Sequence, residues 1–243
     1  MTTLSRIMTT LLDAIHSRRA IKVFDPTPIP EQVRTQILDA ACCAPSSFNM
    51  QPYRLVWIES PEARREAARL CMGQSPAETA SALVVTVADV GSWRSTTAAH
   101  LAWMRKAGFG AEKIAEADKR ASFAKWFFLQ GWFGIFGWVK WLMLRAVNSW
   151  KIIGSLPVGR RGMFHWATKS TALACQNLMI AAEALGLNTC PMEGFDGRRL
   201  SRFLGLSTRK QEIVMVIAIG KKSPLHKDQP QWRRPLEHTV TFL

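Results

Sequence analysis

The chain has 243 residues, 48% of them hydrophobic and 21% charged, so it can bury a core as one domain, with or without an insertion, and is no disordered polymer. Lysine and arginine exceed aspartate and glutamate by 32 − 18 = 14, a balance that favours a polyanionic neighbour: nucleic acid, anionic lipid or a phosphate-bearing ligand. The five cysteines (Cys42, Cys43, Cys71, Cys175, Cys190) are odd in number, form no Cys-x-x-Cys pair and lie in apolar stretches. That argues against a disulfide framework or zinc cluster and suits a reduced cytoplasmic protein with core thiols.

In chain order, residues 3–18 read as a helix with Leu4, Ile7, Met8, Leu11, Leu12 and Ile15 on one apolar face. The run is too short and wrongly charged for a signal peptide. The Asp25-Pro26-Thr27-Pro28-Ile29-Pro30 stretch is a turn, and Pro30 opens a second helix to about residue 44, with Val33, Ile37, Leu38 and Ala41 facing inward. A polar loop, 45–52, leads into a strand at 53–58. A short helix follows Ser60-Pro61, and the valine-rich run 82–88 predicts a strand covered on both faces. A long apolar helix is expected over 168–185 with Gly186 as its C-cap, then a buried strand over 213–219. The alternating tail 238–242 predicts an edge strand.

Residues 93–165 differ abruptly. They hold 12 Lys/Arg against three acids, so 9 of the net 14 charges, and seven of the ten tryptophans. They read as a Trp-rich basic insertion between 1–92 and 166–243. Within it, 126–139 carries no charge, which falls short of the ~20 apolar residues of a bilayer-spanning helix. Two readings stand: a membrane-surface element, through 123–151, on the inner face of the cell membrane, or a lid or interface element over a neighbouring site. The five histidines lack metal spacing, and no metal site is expected; there is no Gly-x-Gly-x-x-Gly and no P-loop lysine motif.

Three separated segments carry the chemistry: Arg18-Arg19-Ala20-Ile21-Lys22-Val23-Phe24, Ala44-Pro45-Ser46-Ser47-Phe48-Asn49-Met50-Gln51-Pro52, and Pro191-Met192-Glu193-Gly194-Phe195. Each alone has a plain structural reading. Arg18 and Arg19 could cap a helix C-terminus, and the Pro-Ser-Ser loop could be turn chemistry. Together and in this order they resemble the nitroreductase family of FMN-dependent oxidoreductases, over about residues 10–90 and 166–243. The resemblance implies an α+β fold: a central, mostly antiparallel sheet flanked by helices, with a C-terminal strand exchanged in a homodimer.

It further implies a flavin site with residues from both subunits. Arg18 and Arg19 would meet the phosphate and ribityl end, joined by Arg233 or Arg234 from the Gln231-Trp232-Arg233-Arg234 run. Lys22 would lie at flavin N1 and O2, where a cation stabilises the charge of the reduced ring. Asn49, in a loop with Pro45, Ser46, Ser47 and Gln51, can donate and accept at the N3–O4 edge. Pro191, Met192, Glu193 and Gly194 resemble the segment whose backbone approaches N5. Ala20 stands where a hydroxyl residue is common. No side chain need act as acid, base or nucleophile. The implied activity is a ping-pong transfer of electrons from NADH or NADPH to small acceptors such as nitroaromatics or quinones. Other flavin chemistries, such as reductive dehalogenation or flavin fragmentation, remain open on the same fold. So does a non-catalytic basic protein that binds membrane or nucleic acid, although the preferred reading expects no nucleic acid.

Overall fold

The structure is a computed structural model of a single chain, and it describes residues 10–128, 135–152 and 159–243. Its centre is an antiparallel sheet whose hydrogen-bonded order is β1 (Phe24–Asp25), β5 (Gln211–Lys222), β3 (Ala82–Asp89) and β2 (Tyr53–Ile58). A further strand, β4 (Asn188–Met192), pairs with β5 on the β1 side. The register runs from Ala82 opposite Ile219 to Asp89 opposite Gln211, with a bulge between Thr86 and Val87. The Thr86 hydroxyl closes that irregularity by donating to the Met215 carbonyl at 2.9 Å.

Side-chain alternation along β3 and β5 divides the core in two. Leu83, Val85, Val87, Val216 and Ala218 face one layer of helices: α3 (Pro61–Leu70), α4 (Ser75–Thr79) and α9 (Gly197–Phe203). Ala82, Val84, Ile217 and Ile219 face the other, where α2 (Glu31–Cys42) supplies Ile37 and Ala41, and α8 (Gly159–Ala184) supplies Cys175, Leu178 and Ala182. The period-two pattern therefore buries both faces of β3, as its valine-rich sequence predicts. At the end of α8, Gly186 adopts φ +73°. The Leu187 N–H reaches the Ala182 carbonyl at 2.8 Å and the Gly186 N–H reaches that of Glu183 at 3.0 Å, a left-handed cap that glycine accommodates without strain.

Several expectations change. The first helix, α1, spans Leu11–Ser17, and the part expected over 3–9 lies outside the described residues. A capping box between Thr10 and Asp13 starts it. Only Ala14 is buried; Leu11, Leu12 and Ile15 are exposed, because α1 lies on α8 through its small side. The tail is not a strand. Leu236–His238 forms a 3-10 turn, and Val240 and Phe242 are exposed, since a lone alternating segment forms no strand without a sheet edge to receive it. β4 is a strand that the sequence reading leaves out; Pro191 disguises it, and proline is tolerated there because β4 lies outside β5. The described part of the basic segment is mostly helical: α5 (Trp93–Lys106), α6 (Ala111–Phe128) and α7 (Ile135–Val147) precede α8, which begins at Gly159 and so crosses the compositional boundary at 165. Cys71, Cys175 and Cys190 are core thiols as expected, whereas Cys42 and Cys43 are exposed at the end of α2.

Candidate active site

The segment after α1 is fixed to the outside of β4. The Ile21 N–H donates to the Thr189 carbonyl at 3.1 Å, and Ala20 bridges Thr189 in parallel. Ile21 is buried, whereas Ala20 and Lys22 on either side of it are exposed. Lys22 is held at three points. Its N–H donates to His226 Nδ1 at 3.3 Å, its carbonyl accepts from Ser75 Oγ at 2.9 Å, and its Nζ donates to the buried Cys190 Sγ at 3.4 Å. Arg19 caps α1, with Nη1 donating to the carbonyls of His16 at 2.9 Å and Ser17 at 3.2 Å. Arg18 makes no side-chain hydrogen bond or ion pair among the described residues.

The chain after β5 folds back over these residues and encloses a cleft of about 460 Å³, lined by Arg18, Arg19, Ala20, Lys22, Pro191 and the segment from His226 to Arg233. Five of its lining side chains are cationic (Arg18, Arg19, Lys22, Lys227, Arg233) and one, Asp228, is a carboxylate. Asp228 is already engaged by Lys222 Nζ at 2.8 Å, and that hydrogen bond holds its carboxyl below the usual range. The cleft thus carries surplus positive charge suited to a phosphate dianion. Arg233 lines it; Arg234 is exposed and lies outside the lining.

At the end of β4 the chain turns outward. The Met192 side chain is in the core, so its backbone is the part left to face a ligand. Glu193 and Gly194 are exposed. Gln74 fixes the turn: Nε2 donates to the Gly194 carbonyl at 2.6 Å and to the Cys71 carbonyl at 2.9 Å. A Cβ at residue 194 would come within 3.1 Å of that nitrogen, so glycine permits the close approach. The Gly194 N–H donates to no protein acceptor among the described residues, which leaves it available to a ligand.

The Pro-Ser-Ser loop is strained. Phe48, Asn49 and Gln51 have φ of 57°, 52° and 44°, a left-handed geometry that asparagine tolerates and that costs phenylalanine and glutamine about 1–2 kcal/mol each. Ser46 holds it: its carbonyl accepts from the Asn49 N–H and its hydroxyl from the Gln51 N–H, both at 2.9 Å. Pro45 and Ser47 are exposed, and buried Met50 and Pro52 anchor the far side. Gln51 Nε2 donates to Asn49 Oδ1 at 3.3 Å, which leaves the Asn49 amide hydrogens pointing to solvent or a partner. This loop does not line the cationic cleft. Asn49 instead borders a second cleft of about 370 Å³, with its neighbour Met50 and with Thr97, His100, Met104 and Arg120 of α5 and α6, and Asn49 and Gln51 also border an open groove along α5. Within one chain, then, the expected contacts fall into two groups.

No described group of side chains could hold a metal ion. Burial pushes the Cys71 thiol up to about 11 and the Tyr53 phenol up to about 12, so neither is an activated nucleophile at neutral pH. His226, Lys227, Asp228 and Gln74 were not among the expected contacts. No motif marks them, and only the proximity of His226 to the Gln-Trp-Arg run could have drawn attention.

The model of the nitroreductase family matches residues 15–221. This chain belongs to the nitroreductase family. Membership makes it an oxidoreductase by class. Among its relatives, it is 29% identical over 225 residues to the NADH dehydrogenase of Thermus thermophilus, covering 93% of this chain and 92% of that one. It is likewise 29% identical over 223 residues to protein DrgA of Synechocystis, covering 91% and 87%. Solved structures share the fold. A nitroreductase-type protein from Exiguobacterium sibiricum in complex with FMN gives a TM-score of 0.75 at 22% identity, covering 97% of this nitroreductase-family chain and 98% of the other. The enone reductase CLA-ER gives 0.71 at 20% identity, covering 99% and 100%. The α+β class with a central antiparallel sheet is therefore borne out.

Proposed function

We propose that this chain is an FMN-dependent oxidoreductase that works as a homodimer, taking electrons from NADH or NADPH and passing them by a ping-pong cycle to small acceptors such as nitroaromatics or quinones. The observation that carries the reading is the cationic cleft, where Arg18, Arg19, Lys22 and Arg233 converge beside the Pro191 to Gly194 turn. Its residues fit FMN. Surplus cations suit the phosphate, Lys22 stands ready for the flavin's anionic edge, and the free Gly194 N–H can meet a ring nitrogen. When bound, FMN supplies the hydride and electron chemistry that no side chain here offers. Residues 1–92 and 166–243 form the cofactor-binding core in this reading, with 93–165 as the insertion.

The separation of Asn49 from the cleft supports a site completed by a second copy, whose loop of Pro45, Ser46, Ser47, Asn49 and Gln51 would close over the flavin. Two surfaces support the same assembly: Leu11, Leu12 and Ile15 on α1, and Val240 with Phe242 in the tail, are apolar and exposed. The tail would find in its partner's sheet the edge it lacks in its own. The membrane contact expected of 123–151 concerns a different surface, the outer face of α7, and is independent of this reading.

The test is reconstitution. Purified protein mixed with FMN and passed through a desalting column should emerge yellow, with flavin and chain in equal amount and the mass of a dimer by light scattering. Colourless protein would overturn the proposal and favour a basic binding protein that keeps only the fold.

A further inference from the structure

The polarity of α7 is inverted. Its lysine, Lys140, is only 7% exposed, whereas Val139, Leu142 and Met143 are 49%, 63% and 54% exposed. At 3.6 residues per turn, Val139, Leu142, Met143 and Ala146 share one outward strip, and Gly137 and Lys140 face the protein. Trp141 and Arg145 border the strip, the guanidinium 5.5 Å from the indole centroid. Trp150 and Ile152, past the helix end, extend the exposed apolar surface, and Lys151 between them is exposed as well. Apolar side chains gathered on one face toward water are unfavourable, so the strip calls for an apolar cover.

Charge identifies the cover. From 121 to 161 the sequence contains six lysines and arginines and no acid. A twofold contact of this strip with itself would set Arg145 and Lys151 against the same cations of the other copy. An anionic lipid surface reverses the sign of that interaction, and its acyl layer takes up the apolar strip. Tryptophan and basic side chains both favour the headgroup region. The 13 residues of α7 make a helix of roughly 20 Å, short of the ~30 Å hydrocarbon core, and no described helix is long and apolar enough to cross a membrane. The helix can lie in the surface but not span it. We propose that the outward strip of α7, with Trp141, Arg145, Trp150 and Lys151, docks the protein flat on an anionic lipid surface.

Co-sedimentation with phosphatidylcholine vesicles, with and without phosphatidylglycerol, tests this at low and high salt. The protein should sediment with the anionic vesicles at low salt, release at high salt, and ignore the neutral ones. The triple variant Val139→Ser/Leu142→Ser/Met143→Ser should weaken binding at least about tenfold through lost apolar burial. Arg145→Gln/Lys151→Gln, which leaves the strip intact, should weaken it about fivefold per charge removed. No sedimentation of the unaltered protein overturns the proposal. So does equal binding by the triple variant at unchanged circular dichroism. If the triple variant instead lowers the oligomer mass, the strip is a contact between copies and the lipid proposal falls. None of these readings depends on flavin, so the outcome is separable from the oxidoreductase proposal.

Discussion

Arg18 and Arg19 are neighbours in one cleft but differ in their other duties, and that difference yields a paired prediction. The Arg18 side chain has no protein partner among the described residues, so its replacement by alanine removes only what it gives a ligand. A charge-assisted hydrogen bond to phosphate contributes about 1.5–3 kcal/mol, so Arg18→Ala should raise the Kd for FMN by roughly 10- to 150-fold. The cofactor-free protein should melt within about 2 °C of the unaltered one, since a surface change away from any packing feature stays within ~0.5 kcal/mol. Arg19 also caps α1 through the carbonyls of His16 and Ser17. Arg19→Ala should therefore lose comparable affinity and, in addition, about 0.3–1 kcal/mol of stability, a drop of roughly 1–4 °C. Fluorescence titration of FMN into cofactor-free protein gives the first quantity and differential scanning fluorimetry the second. FMN binding by Arg18→Ala at the unaltered affinity would refute the assignment of this cleft to the phosphate.

Three further outcomes are expected. The Thr189 hydroxyl is buried beside Ala20 with no partner among the described residues, so Thr189→Val should raise the melting temperature by the equivalent of about 1 kcal/mol or more, and a fall in a thermal melt would show that the hydroxyl is bonded. Gln74→Ala releases the Gly194 carbonyl; steady-state kinetics on the FMN-loaded enzyme should show kcat falling several-fold more than FMN affinity, and an unchanged kcat would count against the role of that turn. Glu59 accepts from Arg34 at 2.7 and 2.9 Å and from Trp57 at 2.8 Å, and these bonds hold its carboxyl below its ordinary value of 4.5. Its contribution is present above that value and is lost as pH falls through the lowered folded value. Glu59→Gln should therefore reduce the melting temperature at neutral pH and leave it nearly unchanged in strong acid, and an equal loss at both would contradict the pairing.

Local signals made much of this legible. Valine runs and the Gly186 cap set β3, β5 and the end of α8 where the residues predict them, and Arg18 and Lys22 line one cleft with Pro191, distant from them in sequence. What escaped is non-local. Pro191 hides β4, whose partner in β5 is more than twenty residues away in sequence. Gln74 and the His226 to Asp228 wall reach the site only through folding, with no spacing to announce them. The α1 apolar face and the alternating tail carry a helix-like and a strand-like pattern, yet Leu11, Leu12, Ile15, Val240 and Phe242 are exposed. The composition changes at 165, whereas α8 runs unbroken from Gly159 through it.

Anaerobic titration of the FMN-loaded protein tests the central claim most directly. Adding NADH or NADPH should bleach the flavin absorbance with one equivalent of donor, and adding a quinone or nitroaromatic should then restore it without further protein change. A flavin that stays oxidised in the presence of both nicotinamides would contradict the account.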